Sequence, residues 1–215
     1  MDNLQLEIHR VGPLQTNCYF LINTDTMETL IVDPGYNATG LTKKLKNSGY
    51  RPVAILITHA HFDHIMAVKD MVSIWNIPVM ILEEEIPLME DQKTRTDIPM
   101  VDNLSLLQID IDRYFKPGEE VELAGFKFKV IHTPGHSIGS ACYYFEDDKI
   151  LISGDTLFAG SIGRTDFPTG SMKMLDHSLN EVLMKLPNDV KVFPGHGPYT
   201  SIGDERISNP YVREY

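Results

Sequence analysis

Apolar positions fall in short runs at the start of the chain. LQLEIHRV (4–11), NCYFLIN (17–23) and ETLIVD (28–33) are separated by turn chemistry such as Gly12-Pro13, and Asp33-Pro34-Gly35 closes the third. This pattern predicts three strands. NATGLTKKLKNSG (37–49) then has helical spacing, with Gly49 as its stop. VAILIT (53–58) is apolar at consecutive positions, as in a central strand covered on both faces. From Asp63 onward, Ile65, Val68, Val72 and Trp75 recur at helical period, and PVMIL (78–82) predicts the next strand.

Residues 83–104 break the rhythm. They are polar and irregular around Ile86, Leu88, Met89, Ile98 and Met100, which predicts a short helix inside a long loop of the kind that covers sites. Regular patterning then resumes with VELAGFKFKVIHT (121–133), a hairpin around Ala124-Gly125, followed by two strands, SACYYF (140–145) and KILISG (149–154). MKMLDHSLNEVLMKL (172–186) predicts an amphipathic helix with Met172, Leu175, Leu179, Val182 and Leu186 on one face, and VKVF (190–193) the last strand. The methionines at 66, 71, 80, 172, 174 and 184 follow the apolar periodicity and are expected in the core. Strands with interspersed helices favour an α/β architecture of sheets sandwiched between helix layers.

Composition narrows the class. A chain of 215 residues with 42% hydrophobic and 23% charged positions is expected to fold as one domain over 1–215. The net charge of -11, with no dense block among the 19 Lys and Arg, argues against nucleic acid as a partner. Neither a signal-like N-terminus nor a membrane-length apolar run is present, so a cytoplasmic protein without a membrane partner is expected. Cys18 and Cys142 sit in strand contexts and read as buried thiols in a reducing compartment. The remaining partner class is a small molecule, handled by a monomer or a homodimer.

The chemistry is concentrated in LITHAHFDHI (56–65), which holds three of the eight histidines. His59 and His61 are two apart, so in an extended segment their imidazoles share a face. Asp63 and His64 follow where the chain turns into a helix. The same arrangement recurs along the chain: FKFKVIHTPG leads to His136, KILISG to Asp155 and VKVFPG to His196. Each apolar strand ends in a tight turn that presents a metal-type side chain, and α/β sheets place ligands at that edge.

These seven residues fit two divalent ions. His59, His61 and His136 would hold one ion, Asp63, His64 and His196 the other, with Asp155 bridging, as in two-metal hydrolases whose ions lie about 3.5–4 Å apart. Nitrogen and carboxylate donors suit Zn²⁺, and equally Fe²⁺ or Mn²⁺. His9, His132 and His177 read as ordinary polar residues near strand or helix positions.

THAHFDH, TPGHSIGS, SGDTLF and FPGHGP resemble the metal-binding motifs of the metallo-β-lactamase superfamily, in order and spacing over nearly the whole chain. GDTLFAGSIGRTDFPTG is similar to the small glyoxalase II-like branch, the hydroxyacylglutathione hydrolases and their relatives. The resemblance implies a four-layer αββα sandwich with a dinuclear site at one edge of its two sheets, and the metal residues carry over one by one. It also implies hydrolysis of a hydroxyacyl thioester by a hydroxide bridging the ions, with Asp63 as the catalytic carboxylate that orients it and takes its proton; esters and lactones are neighbouring substrates. Glyoxalase II enzymes typically append a helical region whose basic residues grip glutathione; with 19 residues after His196, this chain is expected to differ there, and glutathione is not the expected thiol.

A related branch, the persulfide dioxygenases, carries a similar GRTD segment and uses one iron, which here would be held by His59, His136 and Asp155. A β-lactamase is disfavoured, since two-metal zinc β-lactamases usually have Cys where this chain has Asp155. Arg164 and Tyr199 are candidate substrate contacts; the alternative for Arg164 is a pairing with Asp166 that stiffens its loop.

Overall fold

The computed structural model describes residues 3–94, 98 and 100–213, the side chains of 93 and 94 excepted. In chain order the elements are β1 (Leu4–Val11), β2 (Thr16–Asn23), β3 (Glu28–Val32), α1 (Ala38–Ser48), β4 (Arg51–Ile57), α2 (Phe62–Ile65), α3 (Val68–Trp75), β5 (Val79–Leu82), α4 (Ile86–Thr94) and β6 (Arg113–Phe115). There follow β7 (Glu120–Leu123), β8 (Phe126–His132), β9 (Ala141–Phe145), β10 (Ile150–Gly154), β11 (Leu157–Phe158), β12 (Ser161–Ile162), α5 (Met172–His177), β13 (Lys191–Pro194), β14 (Thr200–Ser201) and α6 (Ile202–Ser208).

Two six-stranded sheets result, in the orders β1-β2-β3-β4-β5-β6 and β14-β13-β10-β9-β8-β7. In the first, β3 to β6 run parallel. In the second, β10 and β13 are parallel, while β9 runs antiparallel to both β8 and β10. Strands β8, β10 and β13 therefore end at one edge.

Strand alternation builds the layers. On β2, Tyr19 and Leu21 join Leu30, Leu56, Phe126, Phe128 and Tyr143 in the core between the sheets. Their neighbours Cys18, Phe20 and Ile22 face outward and pack with Leu41 and Leu45 of α1 and Val68 and Met71 of α3. On the far side, Cys142, Tyr144 and Leu151 meet Leu175 and Leu179. The order is helix, sheet, sheet, helix, so every residue of β2 is buried, as its unbroken apolar run requires. Both cysteines are free and fully buried.

The structure corrects several elements. The helix expected over 172–186 stops at His177, and a wider turn over Ser178–Val182 and a tight one over Leu183–Lys185 take over. That change of winding rotates Leu183 and Met184 into the core in place of Val182. Met172 and Met174, expected in the core, are 46% and 38% exposed, whereas methionines 66, 71, 80 and 184 are buried. The helix expected from Asp63 is split into α2 and α3. Strand β6 and helix α6 were not expected. The predicted loop holds α4, and its residues 95–97 and 99 lie outside the described residues. Among the described residues no helix is long and apolar enough to cross a membrane.

Candidate metal centre

The strand ends deliver the ligands. His59 and His61 follow β4, and Asp63 and His64 lie on α2 immediately beyond. His136 comes after β8, Asp155 directly after β10, and His196 just past β13. Backbone bonds close the edge where the sheets meet: Ala141 N donates to Thr58 O at 2.9 Å, Gly195 N to Gly154 O at 2.8 Å, and Asn17 N to Gly195 O at 2.7 Å. Two glycines are required by this closeness. A Cβ on Gly35 would lie 1.5 Å from Asp63 O, and one on Gly195 would lie 2.1 Å from Asp155 Oδ1.

All seven predicted ligands come together. One group offers ligand atoms from His59, His61 and His136, another from Asp63, His64 and His196, and a third joins His59 and His64 to Asp155, all within 4.8 Å in each group. Asp155 lies between the sets: its Oδ2 is 3.5 Å from both His136 Nε2 and His196 Nε2, and its Oδ1 is 3.5 Å from His64 Nε2. His61 turns Nδ1 toward His136 Nε2 at 2.8 Å.

The rings are oriented from outside. His136 Nδ1 donates to Arg164 O at 2.7 Å, His196 Nδ1 to Leu14 O at 3.2 Å, and His64 Nδ1 to Asp33 Oδ2 at 2.9 Å. The inward atoms His59 Nε2, His64 Nε2 and Asp155 Oδ1 are buried and make no hydrogen bond. Buried polar atoms are nearly always satisfied. Three orphans aimed at one point, each on a good metal donor, therefore fit divalent ions, and carriage of the outer N–H by carbonyl or carboxylate fixes the tautomer that leaves the inner lone pair free.

Protonation agrees for part of the set. Burial, then the neighbouring imidazoles, holds His59 well below the ordinary histidine pKa, and burial also lowers His136. Both are neutral donors. Burial would lower His64 too, but the Asp63, Asp155 and Asp33 carboxylates outweigh it and push its pKa up to about 10. Burial would raise Asp63, yet His64, the His196 hydrogen bond and Thr16 hold it well below the usual carboxylate range.

Sequence reasoning missed two carboxylates behind the ligands. Asp33 was read as turn chemistry; its Oδ1 accepts Thr58 N at 2.8 Å, and its Oδ2 accepts Thr58 Oγ1 at 2.6 Å as well as His64 Nδ1. The signal was available, since ETLIVD ends a strand in an acid as KILISGD does. Glu85 is fully buried after β5 and ties two ligand loops together. It accepts Ala60 N, between His59 and His61, at 2.8 Å, and Ser137 Oγ and Gly139 N, just after His136, at 2.8 and 2.7 Å. Gln92 holds the same Ala60 through its carbonyl.

Burial pushes the Glu85 pKa up to about 7 from its usual 4.5, against the three donated hydrogen bonds. Its contribution to stability is therefore fully present below the usual value and is lost as pH rises through 7. The melting-temperature margin of metal-free wild type over Glu85→Gln should shrink between about pH 5 and about pH 8; thermal melts across that range that stay parallel would refute it. Removing the staple with Glu85→Ala should weaken zinc binding by about 10–100-fold in a competition titration.

A cavity of about 540 Å³ opens over the ligands, and Arg164 lines it while Tyr199 does not. Arg164 and Asp166 pair with each other, through Nε at 2.9 Å and Nη2 at 2.6 Å. Tyr199 is 63% exposed and stacks on Phe193.

The family model described as the Metallo-beta-lactamase superfamily matches residues 11–196. The chain is 38% identical over 205 residues to the "Probable metallo-hydrolase YqgX" of Bacillus subtilis, covering 95% of this chain and 96% of that protein. It is 36% identical over 217 residues to the "Hydroxyacylglutathione hydrolase GloC" of Haemophilus influenzae, covering 97% and 98%. Among solved structures, "BLEG-1 B3 metallo-beta-lactamase" superposes with a TM-score of 0.86 at 38% identity, covering 96% of this chain and 99% of that one. "TTHA1623 in a di-iron-bound form" superposes at 0.81 with 35% identity, covering 95% and 99%. With the ligand motifs, the layered sheets and these matches in agreement, the chain belongs to the metallo-β-lactamase superfamily.

Proposed function

We propose that this metallo-hydrolase is a thioesterase of the glyoxalase II type, acting in the cytoplasm on small hydroxyacyl-thiol esters, with zinc as the resident metal. The observation that carries the reading is the convergence of seven His and Asp side chains, in overlapping groups that could each hold a metal ion, at the floor of a cavity wide enough for a small ester. The relative named as a hydroxyacylglutathione hydrolase supports the same class. Divalent ions at these residues supply an activated water and Lewis acidity. His59, His61 and His136 would hold one ion and Asp63, His64 and His196 the other, with Asp155 between them.

The chain's own residues then orient and exclude. Asp63 is ionised at neutral pH and already accepts Thr16 Oγ1 at 2.8 Å. That hydrogen bond fixes the carboxylate that would orient the attacking water. Phe62 and Phe167 line the cavity beside the ligands and keep bulk water from the reacting ester.

The test combines metal analysis with turnover on protein purified from metal-balanced medium. About two metals per chain, with hydroxyacyl-thioester hydrolysis lost on chelation and restored by zinc, is the expected result. One iron per chain, with oxygen consumed on glutathione persulfide and no hydrolysis, would replace the reading by a dioxygenase. Faster turnover of a β-lactam than of any thioester would replace it by a lactamase.

A further inference from the structure

The lining of the cavity restricts what can sit above the ligands. Its apolar lining comprises Phe62, Leu88 and Ile98 from the first half of the chain and Phe158, Ile162 and Phe167 from the second. Leu14 and Phe167 flank the space while remaining 41% and 38% exposed, apolar surface that a bound group would cover.

Polar groups with which to grip a charged ligand are few. Apart from the metal ligands, the polar side chains lining the cavity among the described residues are Gln92 and Arg164. Gln92 donates its amide to Ala60 O. Arg164 donates twice to Asp166, and its guanidinium lies 4.3 Å over the Phe167 ring. A glutathione carrier brings carboxylates and an ammonium, for which the described lining, the metal ligands apart, offers only Arg164 as a counter-charge. An alkyl or aryl group loses nothing polar and gains from burial.

Resting on the thioesterase reading, we infer that the substrate is a thioester whose acyl part carries an uncharged alkyl or aryl group seated among the apolar residues of this lining, on a thiol without the charges of glutathione. The carbonyl meets the ligands at the floor, and the hydrocarbon packs on the apolar lining. Phe167 belongs to this seat.

The experiment uses the zinc-loaded full chain and two series. Acetyl, butanoyl and hexanoyl thioesters are compared on neutral N-acetylcysteamine and on glutathione for kcat/KM. In parallel, calorimetric titration measures the affinity of acetate, butanoate and hexanoate. Both kcat/KM and carboxylate affinity should rise about four-fold per methylene, with no gain from glutathione, and Phe167→Ala should flatten the slope.

A flat series, or a clear preference for glutathione, overturns the inference while leaving a thioesterase. Absence of any thioester hydrolysis, with carboxylate affinity still rising with length, overturns the thioesterase and upholds the apolar seat. Carboxylate affinity that ignores length overturns the seat whatever the turnover.

Discussion

Asp155→Ala should lower kcat/KM for a hydroxyacyl thioester by a factor on the order of 10³ or more while leaving the fold intact. The size follows from position. Asp155 is 8% exposed, and its two oxygens lie 3.5 Å from His64, His136 and His196, so it is the carboxylate shared by both ligand sets. Its loss weakens both ion positions together, and with them the nucleophile and the oxyanion stabiliser. The fold survives because Asp155 Oδ1 makes no hydrogen bond, and the adjoining turn is held by the backbone bond from Gly195 N to Gly154 O. His61→Ala should show a comparable loss. Turnover, metal per chain and far-UV circular dichroism measured together decide the matter; near-normal turnover by metal-depleted Asp155→Ala would sink the two-ion assignment.

The seven candidate ligands were legible because a strand, a tight turn and a donor recur in each unit, and parallel strands bring such ends to one edge. The layers were legible on β4, where an unbroken apolar run demands cover on both faces. Asp33 carried the same strand-then-acid signal, but Asp-Pro-Gly is also a turn signature and masked it; here the residue does both: φ is +50°, and the carboxylate backs His64. Glu85 stands in a run of three glutamates that reads as solvated surface. Its partners Ser137 and Gly139 are 52 and 54 residues away, beyond any local pattern. Val182 was misplaced for the opposite reason, a helical period extended over residues whose winding changes after His177, while Met172 and Met174 stand at the exposed start of α5, where apolar character did not mean burial. Local periodicity cannot register a turn set by contacts from elsewhere, such as the Ser178 hydroxyl donating to Pro134 O at 2.8 Å.

Asp33→Asn is expected to lower the melting temperature of the metal-free protein by roughly 10 °C and to weaken zinc binding by about 10–100-fold. Asparagine tolerates the positive φ at this position, so the backbone stays comparable and only the side chain is tested. The carboxylate accepts three donors, Thr58 N, Thr58 Oγ1 and His64 Nδ1; an amide turns an N–H toward at least one of them. With the tautomer no longer fixed, His64 presents its Nε2 lone pair less often. The pH dependence separates this account from general destabilisation. In the folded chain the His64 pKa is pushed up to about 10 from the usual 6.5, chiefly by Asp63, Asp155 and Asp33 against burial. Its stabilising contribution is thus fully present below 6.5 and is lost as pH rises through 10. The variant should show a shallower fall of melting temperature across that window and release fewer protons on zinc binding. Equal slopes and equal proton release in wild type and Asp33→Asn would mean that Asp33 supports the turn alone and leaves His64 untouched.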